Sequence, residues 1–288
     1  MLIDSNGTFR LVVTTAVAIV VLVTLTPGTV GAATTIGSCT TIDAGNAPGD
    51  GLVLLNQSIT DSTASSCVNI TVSNITFDGQ GNTVDGDGSG GIGINVTNTS
   101  TTISNVTVKN VNISDWSLGV RYDDVNGGEI TGVNATPVLA TSISAFSSSG
   151  VDMRGNTVSS GVNGISANAD SVVENNDVLS GTGRGIEVTG ANTIVRKNNV
   201  SSVSQDGIVV FGDGVRVESN DITSPNQDGV VLRSISSDST VVDNDITDYR
   251  EVSRTIQTFM TDPEKIIDRI RDGTLDVESL AERESVDV

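Results

Sequence analysis

The sequence predicts an all-β fold, a single-stranded right-handed parallel β-helix with three strands per coil and a short α-helical C-terminal segment. Two recurring patterns support this prediction. The first is Val/Met-x-x-Asn-x-Val/Ile, which repeats about every 22 residues with its Asn at Asn156, Asn176, Asn198, Asn220 and Asn244. The second is a small residue followed by Ile or Val, at Gly119, Ser142, Gly164, Gly185, Gly207 and Gly229. Because the two patterns stay in phase, they indicate one structural unit stacked many times, as in a solenoid.

Each repeat contains three short apolar runs separated by polar turns, as in the stretch from 214 to 232. The runs alternate with a period of two residues, and none is long enough for a helix. Hydrophobic residues make up 36% of the chain but aromatic residues only 3%, so the core must consist mainly of Val and Ile, which favour strands. Three strands per repeat without hairpin pairs predict coils stacked about 4.8 Å apart.

The repeated Asn is expected to face the interior. Asn220, for example, stands between Val217 and Ile222, whose side chains should point inward. Asn side chains at one turn of successive coils can hydrogen-bond from coil to coil, and a buried amide needs such partners. We therefore predict that the five Asn residues of the first pattern form an internal Asn ladder. Val111 occupies the corresponding position in an earlier coil.

Residues 1–33 are predicted to be a signal peptide or an N-terminal membrane anchor. Arg10 precedes an uncharged stretch from Leu11 to Thr26, and small residues follow it. Cleavage after Ala32 is the preferred interpretation and cleavage after Ala33 the next, while retention as a membrane anchor stays open. In each case the Lys/Arg bias places the rest of the chain outside the cell.

Residues 34–68 are expected to form an N-terminal cap held by a disulfide between Cys39 and Cys67, the two cysteines of the chain. Through loop-closure entropy such a bridge would contribute roughly 3 to 4 kcal/mol. Two unlinked core thiols are the alternative. Residues 69–250 are assigned to the β-helix itself.

Residues 251–288 lack the strand pattern and carry helix signals. Thr261 and Glu264 have the spacing of a capping box, Pro263 lies near the first turn, and Gly273 is a stop signal. We expect this segment to close the open end of the solenoid, whose last strands would otherwise be exposed edges. A contact with a partner or a membrane is the alternative.

Export would also make the Asn-x-Ser/Thr sequons candidate glycosylation sites. They are Asn6, Asn56, Asn69, Asn74, Asn95, Asn98, Asn105, Asn112, Asn134 and Asn199. Their concentration before residue 135 predicts a glycosylated N-terminal half.

The chain is strongly acidic, with 35 acids, 15 bases and a formal net charge of −20. Nucleic acid is therefore excluded as a partner, because it requires a basic surface. The acids are scattered along the chain, which favours an acidic coat that keeps the protein hydrated in high salt over an acidic ligand-binding surface.

At this point the chain resembles the pectate-lyase-like superfamily of secreted β-helix proteins, especially the NosD-like β-helix proteins of salt-loving archaea. The resemblance covers residues 69–250 and rests on "NITFDGQGNTVDG", on the Asn-x-Val/Ile and Gly-Ile repeats, and on the Lys-poor acidic composition. It implies the fold more specifically than the activity, because this superfamily includes polysaccharide lyases, hydrolases, epimerases and adhesins.

In carbohydrate-active relatives, the active groove runs along the outer face of one long sheet. If the strands that begin at the Gly-Ile marker form that sheet, its outward positions include Arg121, Asp123, Phe146, Glu187, Phe211 and Arg233. Arg121, Phe146, Phe211 and Arg233 are thus candidate ligand-binding residues. Glu187 is a candidate catalytic acid, but it has no acidic neighbour in its row, whereas glycoside hydrolysis needs two carboxyl groups about 5 to 9.5 Å apart.

Two further acid pairs lie in turns one coil apart. Asp206 and Asp228 are candidate catalytic residues, and Asp221 and Asp245 are candidate Ca²⁺ ligands. Ordinary turn chemistry, with the carboxylates exposed, is the alternative interpretation of both pairs. The chain contains no His, so the copper role suggested by the family name finds no ligand set, and no cofactor other than Ca²⁺ is considered.

Together these observations predict an exported cell-surface β-helix protein that acts as a structural or glycan-binding module, secreted or anchored by its N-terminal segment. Surface polysaccharide and other cell-surface proteins are the expected partners. The alternative is a polysaccharide lyase, hydrolase or epimerase that acts on acidic surface polysaccharide.

Overall fold

The computed structural model describes residues 33–136, 138–159, 161–233 and 236–247. They form a right-handed parallel β-solenoid of about 10 coils whose strands belong to three parallel sheets. The predicted fold class is therefore confirmed. The described part of the chain contains strands and turns but no helix, and accordingly none that could cross a membrane. The predicted N-terminal signal or anchor and the predicted C-terminal helical segment lie outside the described residues.

Sheet 1 contains the first strand of each coil. With strands numbered along the chain, it consists of β1 (Thr34–Ile36), β3 (Leu52–Leu55), β6 (Thr76–Asp78), β9 (Ile103–Lys109), β12 (Val125–Thr131), β15 (Ser149–Arg154), β18 (Val172–Glu174), β21 (Ile194–Arg196), β24 (Arg216–Glu218) and β27 (Thr240–Val242).

Sheet 2 follows in each coil after a sharp corner. It consists of β4 (Ile59–Ser62), β7 (Thr83–Gly86), β10 (Asn112–Ser114), β13 (Asn134–Ala135), β16 (Thr157–Ser159), β19 (Asp177–Leu179), β22 (Asn199–Ser201), β25 (Asp221–Thr223) and β28 (Asp245–Thr247).

Sheet 3 completes the coil and contains the strands that begin near the Gly-Ile marker. It consists of β2 (Thr40–Ile42), β5 (Ser66–Ile70), β8 (Ile92–Thr97), β11 (Trp116–Asp123), β14 (Val138–Phe146), β17 (Asn163–Ala167), β20 (Ile186–Val188), β23 (Ile208–Val210) and β26 (Val230–Leu232).

The solenoid starts earlier than the sequence analysis placed it. The prediction put a cap at 34–68 and the first coil near Asn69. In the structure β1 already pairs with β3, and β2 already pairs with β5. The Asn motif is absent from these first strands, so the sequence repeat does not reveal that they belong to the sheets.

The predicted disulfide between Cys39 and Cys67 is confirmed, with their Cα atoms 4.3 Å apart. Cys39 directly precedes Thr40, which pairs with Val68, so the two cysteines face each other on neighbouring parallel strands. The bridge therefore links one coil to the next at the same point of sheet 3 and closes the first coil covalently.

Inward and outward side chains alternate along each strand, and the inward ones are apolar and fill the interior. In the coil that contains Asn220, the inward side chains Val217, Ile222 and Val230 are 0%, 0% and 3% exposed. The larger core side chains lie nearer the N-terminus, where Phe77, Trp116 and Tyr122 are fully buried. The Trp116 indole N–H donates to the Val84 carbonyl at 3.1 Å, so the largest buried side chain is also satisfied.

At the corner between sheets 1 and 2, the five repeated Asn residues hydrogen-bond in one continuous series. Asn156, Asn176, Asn198 and Asn220 each donate from Nδ2 to Oδ1 of the next Asn at 2.8–2.9 Å. Each of the four also donates its backbone N–H to that same oxygen at 3.0 Å. A second Nδ2 hydrogen bond goes to a sheet 1 carbonyl, such as Val195 for Asn220. The buried amide groups thus have hydrogen-bond partners for their N–H groups and their oxygens, as polar groups in a core require.

The corners rely on residues in the left-handed conformation. In one coil, Asn192, Lys197 and Ser202 have φ values of 56°, 54° and 56°, one at each corner. Asn and Asp tolerate positive φ best among residues that carry a Cβ, and Gly adopts it freely. This explains why a chain with so many coils is rich in Asn, Asp, Ser and Gly.

The Gly-Ile marker has a steric cause. A Cβ at Gly207 would lie 2.6 Å from the Gly229 carbonyl oxygen and 2.6 Å from the Cγ2 atom of Ile222. Gly185 meets the same obstacles one coil earlier, from Gly207 and Val200. The glycine column therefore lets sheet 3 approach the side chains of sheet 2 closely, and it fixes where each strand of sheet 3 begins.

Candidate functional site

The outer face of sheet 3 presents two rows of outward side chains. The strand register aligns Arg121, Ser144, Ser166, Glu187, Val209 and Val231 in the first row. The second row lies two residues further along each strand. Asp123 pairs with Phe146 there, and the backbone N–H groups of Phe211 and Arg233 continue the ladder to Val188 and Val210. All four candidate ligand-binding residues therefore lie on the outer face of sheet 3, as expected from the alternation of inward and outward positions along a strand.

Phe211 is the centre of the denser of two clusters on this face. The guanidinium carbons of Arg184 and Arg233 lie 5.5 and 5.9 Å from the centroid of its ring, within the range of a cation–π contact. Arg184 Nη1 is 2.6 Å from Glu187 Oε2, and Arg233 Nη2 is 3.5 Å from Asp206 Oδ2. We call these five residues the Phe211 cluster. Its members come from three successive coils, so the stacking of the solenoid assembles it.

Asp206 and Asp228 are not the exposed turn carboxylates that the alternative interpretation expected. Asp206 is 4% exposed and Asp228 is 8% exposed. The Asp228 backbone N–H donates to Asp206 Oδ1 at 3.2 Å, and Arg233 reaches the other oxygen. The carboxylate of Asp206 thus receives a donor from each of two neighbouring segments, which offsets the cost of burying it. Asp206 faces Arg233, 27 residues later, a contact that the turn sequence does not reveal.

Val209 also departs from a simple outward position. It stands in the first outward row, next to Glu187 of the preceding coil, and yet its exposure is 0%. Val231, one coil later, is 8% exposed. Two outward positions beside the Phe211 cluster are therefore buried, whereas the other positions of the first row are partly exposed.

The second cluster lies three coils nearer the N-terminus and is more open. The guanidinium of Arg121 lies 5.5 Å from the ring centroid of Phe146, and its Nη2 is 2.6 Å from Asp123 Oδ2. Phe146 is 57% exposed, so most of its ring is accessible. We call Arg121, Asp123 and Phe146 the Phe146 cluster. It repeats the combination of guanidinium, aromatic ring and carboxylate found at Phe211.

Sheet 2 presents the candidate Ca²⁺ ligands. Asp221 and Asp245 are direct register partners on β25 and β28, and both are exposed. Thr223 donates to Asp221 Oδ1 at 3.1 Å. Among the described residues, no three His, Cys, Asp or Glu side chains come together in a way that could hold a metal ion. The pair alone offers fewer carboxylates than the oxygen-rich shell that Ca²⁺ prefers.

Sheet 1 presents a charged row that the sequence analysis missed. Its register places Arg154, Glu174, Arg196 and Glu218 side by side with alternating sign. Glu174 is 7% exposed and is paired with Arg154, with Arg196 at 2.9 Å and with Lys197 at 3.4 Å. The hydrogen bond from Arg196 lowers the pKa of Glu174, with further lowering from Lys197 and Arg154 and an opposing effect of desolvation. A signal was present, because each of these residues stands two positions before an Asn of the ladder.

The sequons differ in accessibility. Asn56, Asn74, Asn105, Asn134 and Asn199 are exposed, and Asn69, Asn95, Asn98 and Asn112 are half-buried. Two of the exposed side chains are linked, since Asn105 Nδ2 donates to Asn74 Oδ1 at 3.1 Å. Asn6 lies outside the described residues.

Comparisons with known proteins agree with the fold. The profile of a family described as "Right handed beta helix region" matches residues 92–246 and 184–267. Among solved structures, the A-module of the mannuronan C-5 epimerase AlgE6 from Azotobacter vinelandii has a TM-score of 0.50 at 17% identity. That match covers 75% of this chain but only 58% of the epimerase chain, and at this identity it shows the fold alone.

Two further solved structures are less similar to this chain. The A-module of the mannuronan C-5 epimerase AlgE4 from Azotobacter vinelandii has a TM-score of 0.28 at 13% identity, covering 76% of this chain and 87% of its own. PfbA, a surface adhesin of Streptococcus pneumoniae, has a TM-score of 0.24 at 10% identity, covering 75% and 68%. No curated protein matches the chain.

Proposed function

We propose that this chain, which belongs to the right-handed β-helix family, is an exported cell-surface module that binds glycan on the outer face of sheet 3. One observation carries the proposal. The Phe211 and Phe146 clusters are built from the same three groups, and they lie on the same face of the same sheet. Aromatic rings beside fixed hydrogen-bonding groups are what binding sites for small polar ligands commonly combine.

The arrangement suits sugar hydroxyls. In both clusters the guanidinium is held by a carboxylate, as in Arg121 with Asp123 and Arg184 with Glu187. Such a pair presents N–H donors and oxygen acceptors side by side, and a hydroxyl group both donates and accepts. The exposed ring of Phe146 adds an apolar surface against which a sugar ring can pack.

Export is part of this proposal. It is supported by the N-terminal charge and hydrophobicity pattern and by the disulfide between Cys39 and Cys67, since disulfides persist in oxidising compartments. The exposed sequons Asn56, Asn74, Asn105, Asn134 and Asn199 are the acceptors we expect to be glycosylated in a host that modifies such sites. Fractionation of cells with an antibody against the β-helix tests the location, and a cytoplasmic signal would contradict it.

Binding can be tested with the purified full chain by affinity electrophoresis in gels that contain neutral or uronic-acid polysaccharides. We expect at least one polysaccharide to retard the protein and Phe211→Ala or Arg233→Ala to reduce the retardation. Arg216→Ala is the matched control, because Arg216 is an exposed, ion-paired base on sheet 1. Unretarded migration in every gel, or equal retardation of all variants, would contradict the proposal.

A second candidate function is polysaccharide lyase, hydrolase or epimerase activity. It is favoured by the two acids of the Phe211 cluster, Glu187 and Asp206, which come from adjacent coils and each pair with an Arg that contacts the same aromatic ring. The same gels can be assayed for chemistry. Depolymerisation or epimerisation of a uronic-acid polymer that Asp206→Ala or Asp228→Ala abolishes would replace the binding proposal with the enzymatic one.

A further inference from the structure

The two clusters on sheet 3 are separated by a defined span. Phe146 and Phe211 occupy the same row and are three coils apart, since Phe146 ends β14 and Phe211 directly follows β23. With neighbouring strands about 4.8 Å apart, the two rings are roughly 14 Å apart along the solenoid axis. A single sugar ring is too short to contact both, whereas a linear chain lying along the axis is not.

The surface between the clusters is polar and uncharged over most of its length. In the second row it presents Asn168 and Thr189, and in the first row it presents Ser166. Among the side chains between the two rings, Glu187 carries a charge, and that charge is paired with Arg184 at 2.6 Å. The face therefore offers hydrogen-bonding groups between two aromatic rings.

The charges of the described residues indicate which class of polysaccharide would bind. The described residues contain eight Lys and Arg side chains, and each of them lies within 4 Å of a carboxylate. They are Lys109, Arg121, Arg154, Arg184, Arg196, Lys197, Arg216 and Arg233. No guanidinium in this part of the chain is left without an acidic partner to receive a ligand carboxylate or sulfate.

The two clusters contain as many acids as bases, so neither offers a ligand a net positive charge. The Phe211 cluster contains two Arg and two acids, with Asp228 donating its backbone N–H to one of them, and the Phe146 cluster contains one of each. The whole chain carries a formal charge of −20. A polyanion would therefore meet net repulsion that only salt could screen, while an uncharged chain would meet none.

We propose that the outer face of sheet 3 binds a linear, uncharged polysaccharide that bridges the Phe146 and Phe211 clusters along the solenoid axis. This inference rests on the proposed glycan-binding function and specifies its ligand. Once the ligand has bound one cluster, its contact with the other cluster is intramolecular. The affinity should therefore rise sharply when the ligand becomes long enough to reach both clusters.

The test is isothermal titration of the full chain with neutral polymers (dextran, mannan and mixed-linkage β-glucan) and with polymannuronate and polygalacturonate, each in low and high salt. The best neutral polymer is then replaced by its disaccharide and hexasaccharide. We expect a neutral polymer to bind with little dependence on salt, and the hexasaccharide to bind at least tenfold more tightly than the disaccharide. Phe146→Ala, an exposed substitution that leaves the core intact, should remove most of that advantage.

The outcomes separate the two proposals. Tighter binding of a uronate polymer, or equal affinity for disaccharide and hexasaccharide, would overturn the bridging, uncharged ligand and leave glycan binding standing. Absence of binding to every polymer would overturn both. Arg216→Ala again serves as the control, and loss of hexasaccharide affinity in that variant would also count against the assignment to sheet 3.

Discussion

The N-terminal and C-terminal coils fill the corner between sheets 1 and 2 in different ways. In the two coils directly before the ladder, Val111 and Val133 occupy the corner and are buried. From Asn156 onward the same position holds the Asn ladder. The change occurs at a single junction, where the Val133 N–H donates to Asn156 Oδ1 at 3.0 Å.

This difference goes with a difference in regularity. In the N-terminal coils, hydrogen-bonded neighbours in successive coils are between 20 and 32 residues apart. Along the Asn ladder the separation stays between 20 and 24. Apolar packing is non-directional and tolerates coils of different length, whereas an amide must meet its partner with defined geometry. The ladder therefore fixes the register of the C-terminal coils, and side-chain volume stabilises the N-terminal ones.

The largest expected effect comes from breaking the ladder. In Asn198→Ala the Asn176 N–H and Nδ2 lose their acceptor. The Val173 carbonyl loses its Nδ2 donor, and Asn220 Oδ1 keeps the backbone N–H of residue 198 but loses the Nδ2 donor. Each buried polar group left unsatisfied costs about 1 to 3 kcal/mol, so the unfolding free energy should fall by at least about 3 kcal/mol. Urea unfolding followed by far-ultraviolet circular dichroism measures it.

Asn199→Ala is the matched control for that experiment. Asn199 is the next residue and is exposed, and its side chain donates to Asp177 at 3.2 Å. Removal of such a surface group is expected to change stability by no more than about 0.5 kcal/mol. Similar losses in both variants would show that the ladder does not stabilise the C-terminal coils as described.

A second expected effect distinguishes the two regions by pH. The pKa of Glu174, in the C-terminal coils, is lowered by Arg196, so its contribution to stability is present above the unfolded pKa of about 4.5 and is lost as pH falls through the folded pKa. Glu174→Gln should therefore destabilise the protein at neutral pH by about 1 kcal/mol, with the difference from wild type vanishing in acid. Unfolding free energies measured from neutral pH downward test this.

Tyr122, in the N-terminal coils, has the opposite behaviour. Burial raises the pKa of its phenol well above the usual value of 10.0, and the single hydroxyl proton is shared between the carbonyl oxygens of Val106 at 3.0 Å and Glu129 at 3.1 Å. Its contribution is fully present below pH 10.0 and is lost as pH rises further. Tyr122→Phe should thus flatten the alkaline decline, while Glu174→Gln should leave it unchanged. If Tyr122→Phe changed the stability in acid, or Glu174→Gln changed the decline at alkaline pH, these two assignments would be wrong.

The smallest expected effect concerns the left-handed residue directly before the ladder position. Gly132 and Gly155 occupy it at the start, with φ of 61°, while Ser219 occupies it later with φ of 53°. Ser219→Gly should stabilise by about 0.5 kcal/mol, because relief of the left-handed strain slightly exceeds the added entropy of the unfolded chain. Ser201→Gly, in a strand, should instead destabilise, and thermal melts of both variants would reveal any departure from this pattern.

The sequence was sufficient for the features that recur. The Asn motif and the Gly-Ile marker have local causes, a buried amide and a forbidden Cβ, and both causes recur in the C-terminal coils, so the repeat predicts the solenoid. The disulfide could be predicted because the chain contains only two cysteines.

The remaining features depend on partners that the repeat does not specify. The burial of Asp206 requires Arg233, and the Phe211 cluster requires Arg184 from one coil before the ring. The first coils escaped detection because their varied lengths hide the period. The charged row on sheet 1 could have been predicted from the sequence, because aligning the coils on the Asn ladder brings its residues into one column.

The Asn ladder also has a direction. Along the ladder, the Nδ2 groups of Asn156, Asn176, Asn198 and Asn220 each donate to Oδ1 of the next Asn toward the C-terminus, so each junction between coils joins the same donor to the same acceptor. Any two coils of the ladder are therefore interchangeable at their junctions. Gain or loss of an in-phase coil would leave no amide unmatched, so the length of this protein can change during evolution in whole coils, and a duplicated coil brings its own copy of the outer faces.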